Sequence, residues 1–530
     1  MLEMKLKQSQ EMKITLYEIL FFAFWSIMLF VKGMGWYDGE TVFKIALVVG
    51  SLCIFTKIAI EKYTIYELIG IVALLGLGGL NYVNSGEKGM LIFIIMMIGM
   101  KGISVARTFR VGCVVWGISF FMLIILSQLG MMESTTLIHY KFGQYIVRYS
   151  FGYTHPNVLH MSYLTMAMFI AYVVNQKYIV KTVALLMIGN LIAFMYSLSY
   201  TGFAVCTIYL FLCLYFEKRK DMNLLEKIVI LSIVPLCALF SLLGPVILSS
   251  EGTLFRLFDK ILNTRFTLSR YFLTTFPVTL FGQRIVAEDA SRTMDCSYTF
   301  AFVTYGLVMF LGIVVVYIAL LKSFIEQKKV KELSITIALL IAGVSEPLLF
   351  NTSFKNISFV FVGAYLFTKC KEQSDKKGGF LAKEIQILKF VPVKEFVWRK
   401  PKVTSLQLDK RISYKQKIVF LLLALMITIV GKQLFVMPTS YLAPVVQCDH
   451  YDGDKIYIAE EELEDYSESK IFNYTDEMTP MYEFDGEVNQ VEEYRWYVIV
   501  FIGSYYLLCM LNYSYISRPH KSPDLKNEGR

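Results

Sequence analysis

The sequence is poor in charged residues for its length. Asp, Glu, Lys and Arg make up only 18% of its 530 residues, whereas 56% are hydrophobic and the mean hydropathy is +0.53. A soluble globular protein has about 25% charged residues, so a soluble multidomain protein is excluded, and so is a disordered chain. Long apolar runs recur along the chain instead, and they predict an all-α polytopic membrane protein.

The sequence also lacks the residue patterns of metal sites and of disulfide scaffolds. Of its nine cysteines most lie inside apolar runs, and no CxxC or Cys/His ligand spacing occurs. No metal site is therefore predicted. The net charge of +9 comes from lysines and arginines that are spread over short loops, so no nucleic-acid partner is predicted either.

Fourteen apolar runs approach the length that is needed to cross a hydrocarbon core of roughly 30 Å. We expect the first twelve to form the transmembrane core and the last two to form a C-terminal helical hairpin. The first run follows a basic stretch without a cleavage pattern, so it is predicted to be a retained helix and not a signal peptide. The runs lie at 16–31, 40–60, 64–80, 89–106, 109–130, 156–175, 180–197, 201–216, 227–247, 299–321, 333–349, 353–368, 418–436 and 496–513.

The placement of lysine and arginine predicts the orientation of these runs. With the N-terminus inside, the strongly basic segments 217–227 and 322–331 both fall on the cytoplasmic side, as the positive-inside bias requires. Both termini are then cytoplasmic, and the segments 131–155 and 248–298 are outer loops.

Five segments follow from this reading. The acidic part of the fourth, residues 449–493, has 16 Asp and Glu against two Lys and is expected to lie outside. The segments are the N-terminal membrane helices 1–130, the membrane core 131–368 with its two outer loops, the basic cytoplasmic segment 369–417, the C-terminal hairpin 418–513 and the tail 514–530.

Positive charge on the outer side is the main anomaly. The 248–298 loop contains six basic residues, and Arg148 lies in the other outer loop. Arginine suits anion binding because its planar fork pairs with phosphate or carboxylate through two hydrogen bonds. The alternative is that long loops cross the membrane regardless of their charge. The six are Arg256, Lys260, Arg265, Arg270, Arg284 and Arg292.

Two further residues are candidates for proton transfer. His155 precedes Pro156 at the outer mouth of a helix, where an imidazole can accept a proton from a hydroxyl or can simply cap the helix. Glu346 lies in the apolar run IAGVSEPLLF. An ionisable residue at the end of a span is costly, so it is either functional or a structural partner for an arginine.

Five stretches, taken in order over residues 140–368, resemble Wzy-type bacterial polysaccharide polymerases of the O-antigen ligase superfamily. They are RYSFGYTHPNVLHMSYL, YSLSYTGFAV, DKILNTRFTLSRYFLTTFPVTLFGQ, MDCSYTFAFVTYGLVMFLG and GVSEPLLFNTSFKN. Tyr200 stands where that family usually has arginine. The hairpin 418–513 lies outside the part that resembles the family.

The resemblance implies a GT-C-like membrane glycosyltransferase of the bacterial cytoplasmic membrane, without a cofactor. Its substrates would be oligosaccharides linked to undecaprenyl pyrophosphate, and its partners would be membrane lipid, a flippase and a chain-length regulator. It also implies site residues in three roles: His155 or Glu346 as general base; Arg148, Arg265, Arg270 and Arg284 for the pyrophosphate; and Asn157, Asp295 and Tyr298 for the sugars.

Three functions remain open at this point. A polymerase joins repeat units, and the Asp–x–Ser–Tyr and late Glu motifs favour it, whereas a ligase transfers a finished glycan to a final acceptor. A lipid-linked glycan flippase or transporter is the alternative from another class. A transporter places polar groups near the bilayer midplane, but here they gather at the outer ends of the runs.

Overall fold

The computed structural model describes residues 11–132, 134, 136–141, 144–219, 221–287, 292–388, 395–399, 414–434, 440–446, 456–457, 471–474, 480–485 and 497–509. These residues are mostly helical. Their contacts divide the chain into two units: Met1–Thr136 with Tyr149–Arg399, and Leu137–Arg148 with Lys400–Arg530.

The first unit is a bundle of helices. Their bounds are α1 Leu16–Gly33, α2 Thr41–Ile60, α3 Ile65–Ser85, α4 Gly89–Gly99, α5 Val105–Gln128, α6 Pro156–Val173, α7 Ile179–Ser197, α8 Tyr200–Lys218, α9 Leu224–Ile247, α10 Thr253–Ile261, α11 Arg265–Thr275, α12 Ser297–Thr304, α13 Gly306–Glu326, α14 Val330–Ala342 and α15 Phe359–Lys377.

Each of the fourteen predicted runs contains a helix. Eight helices of the described chain, namely α1, α2, α3, α5, α7, α8, α9 and α13, are long and apolar enough to cross a membrane. This is the architecture of a polytopic helical membrane protein. The helices of the other runs are shorter or more polar.

The structure differs from the prediction between 333 and 368. Two spans were expected there, at 333–349 and 353–368, but α14 already ends at Ala342 and α15 begins only at Phe359. Between them the chain forms only a short 3₁₀ turn, Pro347–Leu349. Pro347 disfavours the helical conformation for the residue before it, and Glu346 is accordingly extended.

Helices α6 and α14 are buried on almost all sides. Both pack against α8, and they also contact each other. Helix α6 carries His160, Ser162 and Thr165, all of which are buried. Because polar side chains are costly to expose to lipid, these three residues lie in the interior of the bundle.

His160 links α6 to the turn between α7 and α8. Its Nδ1 lies 3.0 Å from the Ser197 hydroxyl, and its Nε2 lies 2.8 Å from the Asn190 side-chain oxygen. Ser199 then caps α8 by accepting a hydrogen bond from the backbone N–H of Gly202. This arrangement determines where the first turn of α8 begins.

Two glycines join the 248–298 loop to the start of α13. Gly282 and Gly306 have φ angles of +92° and +80°, and a Cβ on Gly306 would lie 2.4 Å from the nitrogen of Gly282. The backbones therefore touch, and the N–H of Leu307 donates to the carbonyl of Thr279 at 2.9 Å. The end of this loop is thus attached to the bundle.

Short antiparallel strands pair the chain after α15 with the N-terminal part of the first unit. Strand β1, Glu11–Thr15, pairs with β6, Glu395–Arg399, and β2, Lys62–Thr64, pairs with β5, Glu384–Gln386. Both β5 and β6 lie in the segment 369–417, which was predicted to be a basic cytoplasmic segment.

The second unit contains α16, Tyr414–Leu434, and α17, Tyr497–Cys509. Between them lies a four-stranded sheet with the order β8-β7-β10-β9, which the sequence analysis did not predict. Most of the acidic segment 449–493 lies outside the described residues. The strands are β7 Ser440–Val446, β8 Ile456–Tyr457, β9 Ile471–Tyr474 and β10 Pro480–Asp485, and a separate pair is β3 Thr136–Lys141 and β4 Gln144–Tyr149.

The contact between α6 and α8 predicts the effect of Gly202→Ala. A Cβ at this position would lie 2.7 Å from Cγ of the His160 ring, so α8 or the histidine must move. Overpacking of this kind costs about 1–3 kcal/mol. We expect a lower thermal unfolding midpoint for the purified protein in detergent, measured by intrinsic fluorescence.

Gly312→Ala is the matched control, because a Cβ there meets no atom within 4 Å. Its midpoint should equal or slightly exceed that of the wild type, since alanine favours helix over glycine. Equal midpoints for the two variants would contradict this view of the α6–α8 contact.

Candidate functional site

Charged side chains from distant parts of the sequence meet at one end of the helical bundle of the first unit. This end contains the end of α1, the start of α6, the start of α8, the start of α11 and the segment 343–358. It is the end that the sequence analysis placed on the outer side.

Glu346 is the centre of this group and is only 5% exposed. The hydroxyl of Thr201, in the first turn of α8, donates a hydrogen bond of 2.7 Å to Oε1 of Glu346. The guanidinium of Arg265 donates to the same oxygen at 3.3 Å. The other carboxylate oxygen, Oε2, receives no hydrogen bond from the described residues, and Glu346 lines a cavity.

Arg265 is the first residue of α11, and the preceding Asn263 and Thr264 are in the left-handed region. Besides Glu346 it pairs with Asp295, at 3.6 Å, just before α12. It is 6% exposed. Three predicted site residues, Arg265, Asp295 and Glu346, therefore come together. Glu346 has the arginine partner that one of its two interpretations predicted, and a functional role for it stays a prediction.

Burial raises the pKa of the Glu346 carboxyl above its usual range, because the charged form loses its hydration. The nearby Arg265 and the hydrogen bond from Thr201 act in the opposite direction. Glu346 lies outside the eight membrane-spanning helices. The raised pKa makes this carboxylate a stronger base than one in water, as a general base requires.

A cavity of about 370 Å³ opens beside Glu346. Its volume lies within the usual range for small-ligand sites, about 300–1,000 Å³. Charged and polar residues from three parts of the chain line it together with apolar ones. The polar lining includes Lys32, Asp38, Thr154, Asn351, Thr352 and Lys355.

Another cavity, of about 430 Å³, lies at the opposite end of the bundle. Its lining includes Arg110, Tyr172 and Lys331, and no described carboxylate lines it. Lys331 donates hydrogen bonds of 2.7 Å to the carbonyls of Tyr172 and Val174. That cavity thus lacks the carboxylate that makes the first one a candidate for catalysis.

Lys355 is the unexpected member of the candidate site. It is 7% exposed and lies in the segment between α14 and α15, outside the helices. Burial lowers its pKa to about 7, because an ammonium ion is poorly solvated there. Glu346 raises this pKa and Lys32 lowers it further.

His155 caps α6, as one of its two interpretations predicted. Its Nδ1 accepts a hydrogen bond of 3.0 Å from the backbone N–H of Asn157, which occupies the second position of the helix. The neighbours Thr154 and Val158 line the cavity, whereas His155 and Asn157 are not part of its lining.

The other predicted residues lie apart from the cavity lining. Arg270 donates to the carbonyl of Leu248 at 3.1 Å and stacks over the ring of Phe255, and Arg284 is exposed. The hydroxyl of Tyr298 donates to the carbonyl of Leu340 at 2.8 Å. Arg148 lies in strand β4 and belongs to the second unit.

Sequence reasoning missed Lys32, Asp38, Thr201 and Lys355. Lys355 stands in GVSEPLLFNTSFKN, the same stretch that carries Glu346. A lysine inside a mostly apolar stretch is a signal of the same kind as Glu346, since both are costly to bury. Asp38 gave no such signal because it lies in a loop, where acidic residues are ordinary.

Comparison with protein-family models, with curated proteins and with solved structures gave no match for this chain. The candidate site therefore rests on the geometry of its residues, and the family remains a resemblance.

The burial of Lys355 predicts a pH-dependent effect of Lys355→Met on stability. Its pKa is about 7 in the folded protein and near 10.5 when unfolded, so between these values the unfolded state binds more protons. The wild type therefore gains stability as pH rises through this window, and the variant does not. We expect the variant to have the higher unfolding midpoint at pH 7, and this difference should shrink towards pH 10.

Lys329→Met serves as the control, because Lys329 is exposed. Its difference from the wild type should not vary over the same pH range. A difference between Lys355→Met and wild type that stays constant or grows from pH 7 to pH 10 would refute the assignment.

Proposed function

We propose that this protein is an integral-membrane glycosyltransferase that joins oligosaccharide repeat units linked to undecaprenyl pyrophosphate into a surface polysaccharide. The observation that carries the proposal is the buried carboxylate of Glu346 at the wall of a polar cavity. The resemblance of five stretches to Wzy-type polymerases supplies the reaction and the substrate class.

The expected setting is the bacterial cytoplasmic membrane, with both termini inside and the cavity on the outer face. About twelve helices would form the membrane core, with the C-terminal hairpin as an addition. The placement of lysine and arginine supports this orientation. A flippase that delivers the repeat units and a chain-length regulator are the expected protein partners.

The reaction would be a direct displacement at the anomeric carbon of the donor. A hydroxyl oxygen of the acceptor sugar forms the new C–O bond while the bond to the pyrophosphate breaks. Undecaprenyl pyrophosphate leaves with the electron pair of that bond, and the hydroxyl proton passes to Glu346. A single displacement inverts the anomeric configuration.

The hydrogen bonds of Glu346 favour it as the base. Both donors, Thr201 and Arg265, contact Oε1, which leaves Oε2 as the oxygen that can accept the proton. Arg265 is then a positioning residue, because it holds the carboxylate and does not line the cavity. Asp295 holds Arg265 from its other side.

The hydrogen bond of His155 makes it a weaker candidate. When Nδ1 accepts a hydrogen bond, the neutral ring carries its proton on Nε2, so neither nitrogen offers a lone pair to a substrate. His155 would have to leave its capping position before it could act as a base. Its place in the proposal is therefore to orient the start of α6.

Glu346→Gln tests the proposal in the organism that carries the gene. The amide keeps the shape of the side chain but cannot accept the proton. A host that lacks the gene should accumulate single repeat units on undecaprenyl pyrophosphate and lose its high-molecular-weight polymer, as seen by lipid analysis and by gel electrophoresis. The wild-type gene should restore the polymer, and Glu346→Gln should not, with a loss of about a hundredfold or more.

Glu332→Gln is the matched control. Glu332 lies in the first turn of α14, at the opposite end of that helix from Glu346, and its carboxylate accepts a hydrogen bond from the hydroxyl of Tyr172. It should restore the polymer. Equal amounts of both variants in the membrane, shown by immunoblot, are required for the comparison. Restoration of the polymer by Glu346→Gln would rule out its role as the base.

The same experiment separates the rival functions. Full-length polymer that stays on its lipid carrier in the deletion strain would indicate a ligase. Repeat units that are trapped on the inner leaflet would indicate a flippase. Either result would contradict a polymerase.

A further inference from the structure

The cavity beside Glu346 has two lysines in its wall. Lys32 comes from the last turn of α1, and Lys355 comes from the segment between α14 and α15. They are 8% and 7% exposed, so both are more than nine-tenths buried. Lysines are almost never buried to this degree unless their charge is balanced.

Lys32 has a partner within the protein. Its Nζ lies 2.9 Å from Oδ1 of Asp38 and 3.8 Å above the centre of the Phe43 ring. Thr352 also donates to Asp38, at 2.5 Å, and Lys88 lies 3.9 Å from its other oxygen. The charge of Asp38 is therefore already balanced by neighbouring groups.

Lys355 lacks such a partner. In the described part of the chain, Nζ of Lys355 has no carboxylate within 4 Å and no hydrogen-bond acceptor. Glu346 lines the same cavity, but its charge is paired with Arg265. Burial of the Lys355 side chain removes part of the hydration of its ammonium group, and no carboxylate of the described chain replaces that hydration within 4 Å.

Among the charged residues that line the cavity, Lys355 is the one without an oppositely charged described residue within 4 Å. The lining contains two cations and two carboxylates. Asp38 lies within 4 Å of Lys32, and Glu346 lies within 4 Å of Arg265, which it shares with Asp295. The cavity can bind an anion at Lys355 without breaking either ion pair. A volume of about 370 Å³ leaves room for a diphosphate together with part of a sugar ring.

We propose that Lys355, with Lys32 beside it, binds a phosphate-type oxyanion in this cavity. On the proposed function, on which this part of the inference rests, the anion is the pyrophosphate of the lipid-linked donor. The two lysines would then bind the pyrophosphate, a role that the sequence analysis assigned to four arginines. This agrees with the contacts of Arg265 and Arg270, whose guanidinium groups are already bonded to other parts of the chain.

Binding to the full-length protein tests this directly, without any glycan. Purified protein in detergent is titrated with inorganic pyrophosphate and, separately, with farnesyl pyrophosphate, and binding is measured by isothermal titration calorimetry. Farnesol serves to detect binding through the hydrocarbon chain alone. We expect Lys355→Met to weaken binding of the pyrophosphate ligand by about tenfold or more, the loss expected when a charged hydrogen bond is removed.

Two other variants show whether the charge is responsible. Lys355→Arg keeps the positive charge and should retain most of the affinity, whereas Lys329→Met, far from the cavity, should bind as the wild type does. Binding of farnesyl pyrophosphate alone would assign the anion to a lipid-linked source, and binding of both ligands would extend it to free pyrophosphate. Unchanged affinity in Lys355→Met, or no binding of either ligand to the wild type, would overturn the inference.

The result of the binding experiment is independent of the result of the polymer test. If pyrophosphate binding depends on Lys355 but deletion of the gene leaves the polymer intact, the oxyanion site stands and the proposed function is wrong. If deletion of the gene abolishes the polymer but binding does not depend on Lys355, the proposed function stands and the oxyanion site at Lys355 is wrong.

Discussion

The burial of one carboxylate places a constraint on much of this molecule. Glu346 is removed from water, and a buried carboxylate is stable only when hydrogen bonds and a cation replace its hydration. Thr201 and Arg265 provide these, and they come from α8 and α11, which are far apart in the sequence. The start of α8, the start of α11 and the turn after α14 must therefore meet at one point. His160 contributes from the interior, because its bonds to Ser197 and Asn190 determine where α8 begins.

The position of α6 in the bundle follows from the free-energy cost of placing polar side chains in lipid. Helix α6, which carries several polar side chains, is enclosed by other helices of the bundle. A helix that bears His160 and Ser162 would be unstable against lipid, so its position in the interior is a consequence of its composition. The enclosed helices bring their ends to the cavity, since Thr154 and Val158 precede or begin α6 and Glu346 follows α14. The burial of α6 and of the end of α14 therefore helps to set the position of the cavity.

The helices could be predicted from the sequence because their signal is local. Each predicted run contains a helix, since about twenty apolar residues in succession have few alternatives. The end of α14 and the start of α15 were harder to predict. The apolar run IAGVSEPLLF continues past the end of α14, although Glu346 is extended and Pro347 begins a 3₁₀ turn. The sheet of the second unit was missed because three of its four strands lie in the strongly acidic segment 449–493, where the charge pattern favoured a solvated loop. In the candidate site, Glu346, Arg265 and Asp295 were found because each is an unusual charge for its place, but their pairing depends on tertiary contacts that a single sequence does not reveal. Lys355 carried the same kind of signal and was passed over.

Glu346 and Lys355, two of the four charged residues that line the cavity, each lack a different kind of partner. Oε2 of Glu346 has no donor and Nζ of Lys355 has no acceptor among the described residues, yet the two groups lie too far apart to form an ion pair, since they are not within 4 Å of each other. If they were in contact, each would satisfy the other and the cavity would gain nothing from either. Held apart, one requires a group that donates a hydrogen bond and the other requires an anion. A sugar hydroxyl and a pyrophosphate are such a pair, and in the proposed reaction they are the attacking group and the leaving group on opposite sides of one anomeric carbon. The separation of these two groups is thus the feature of the structure on which the proposed displacement reaction depends most directly.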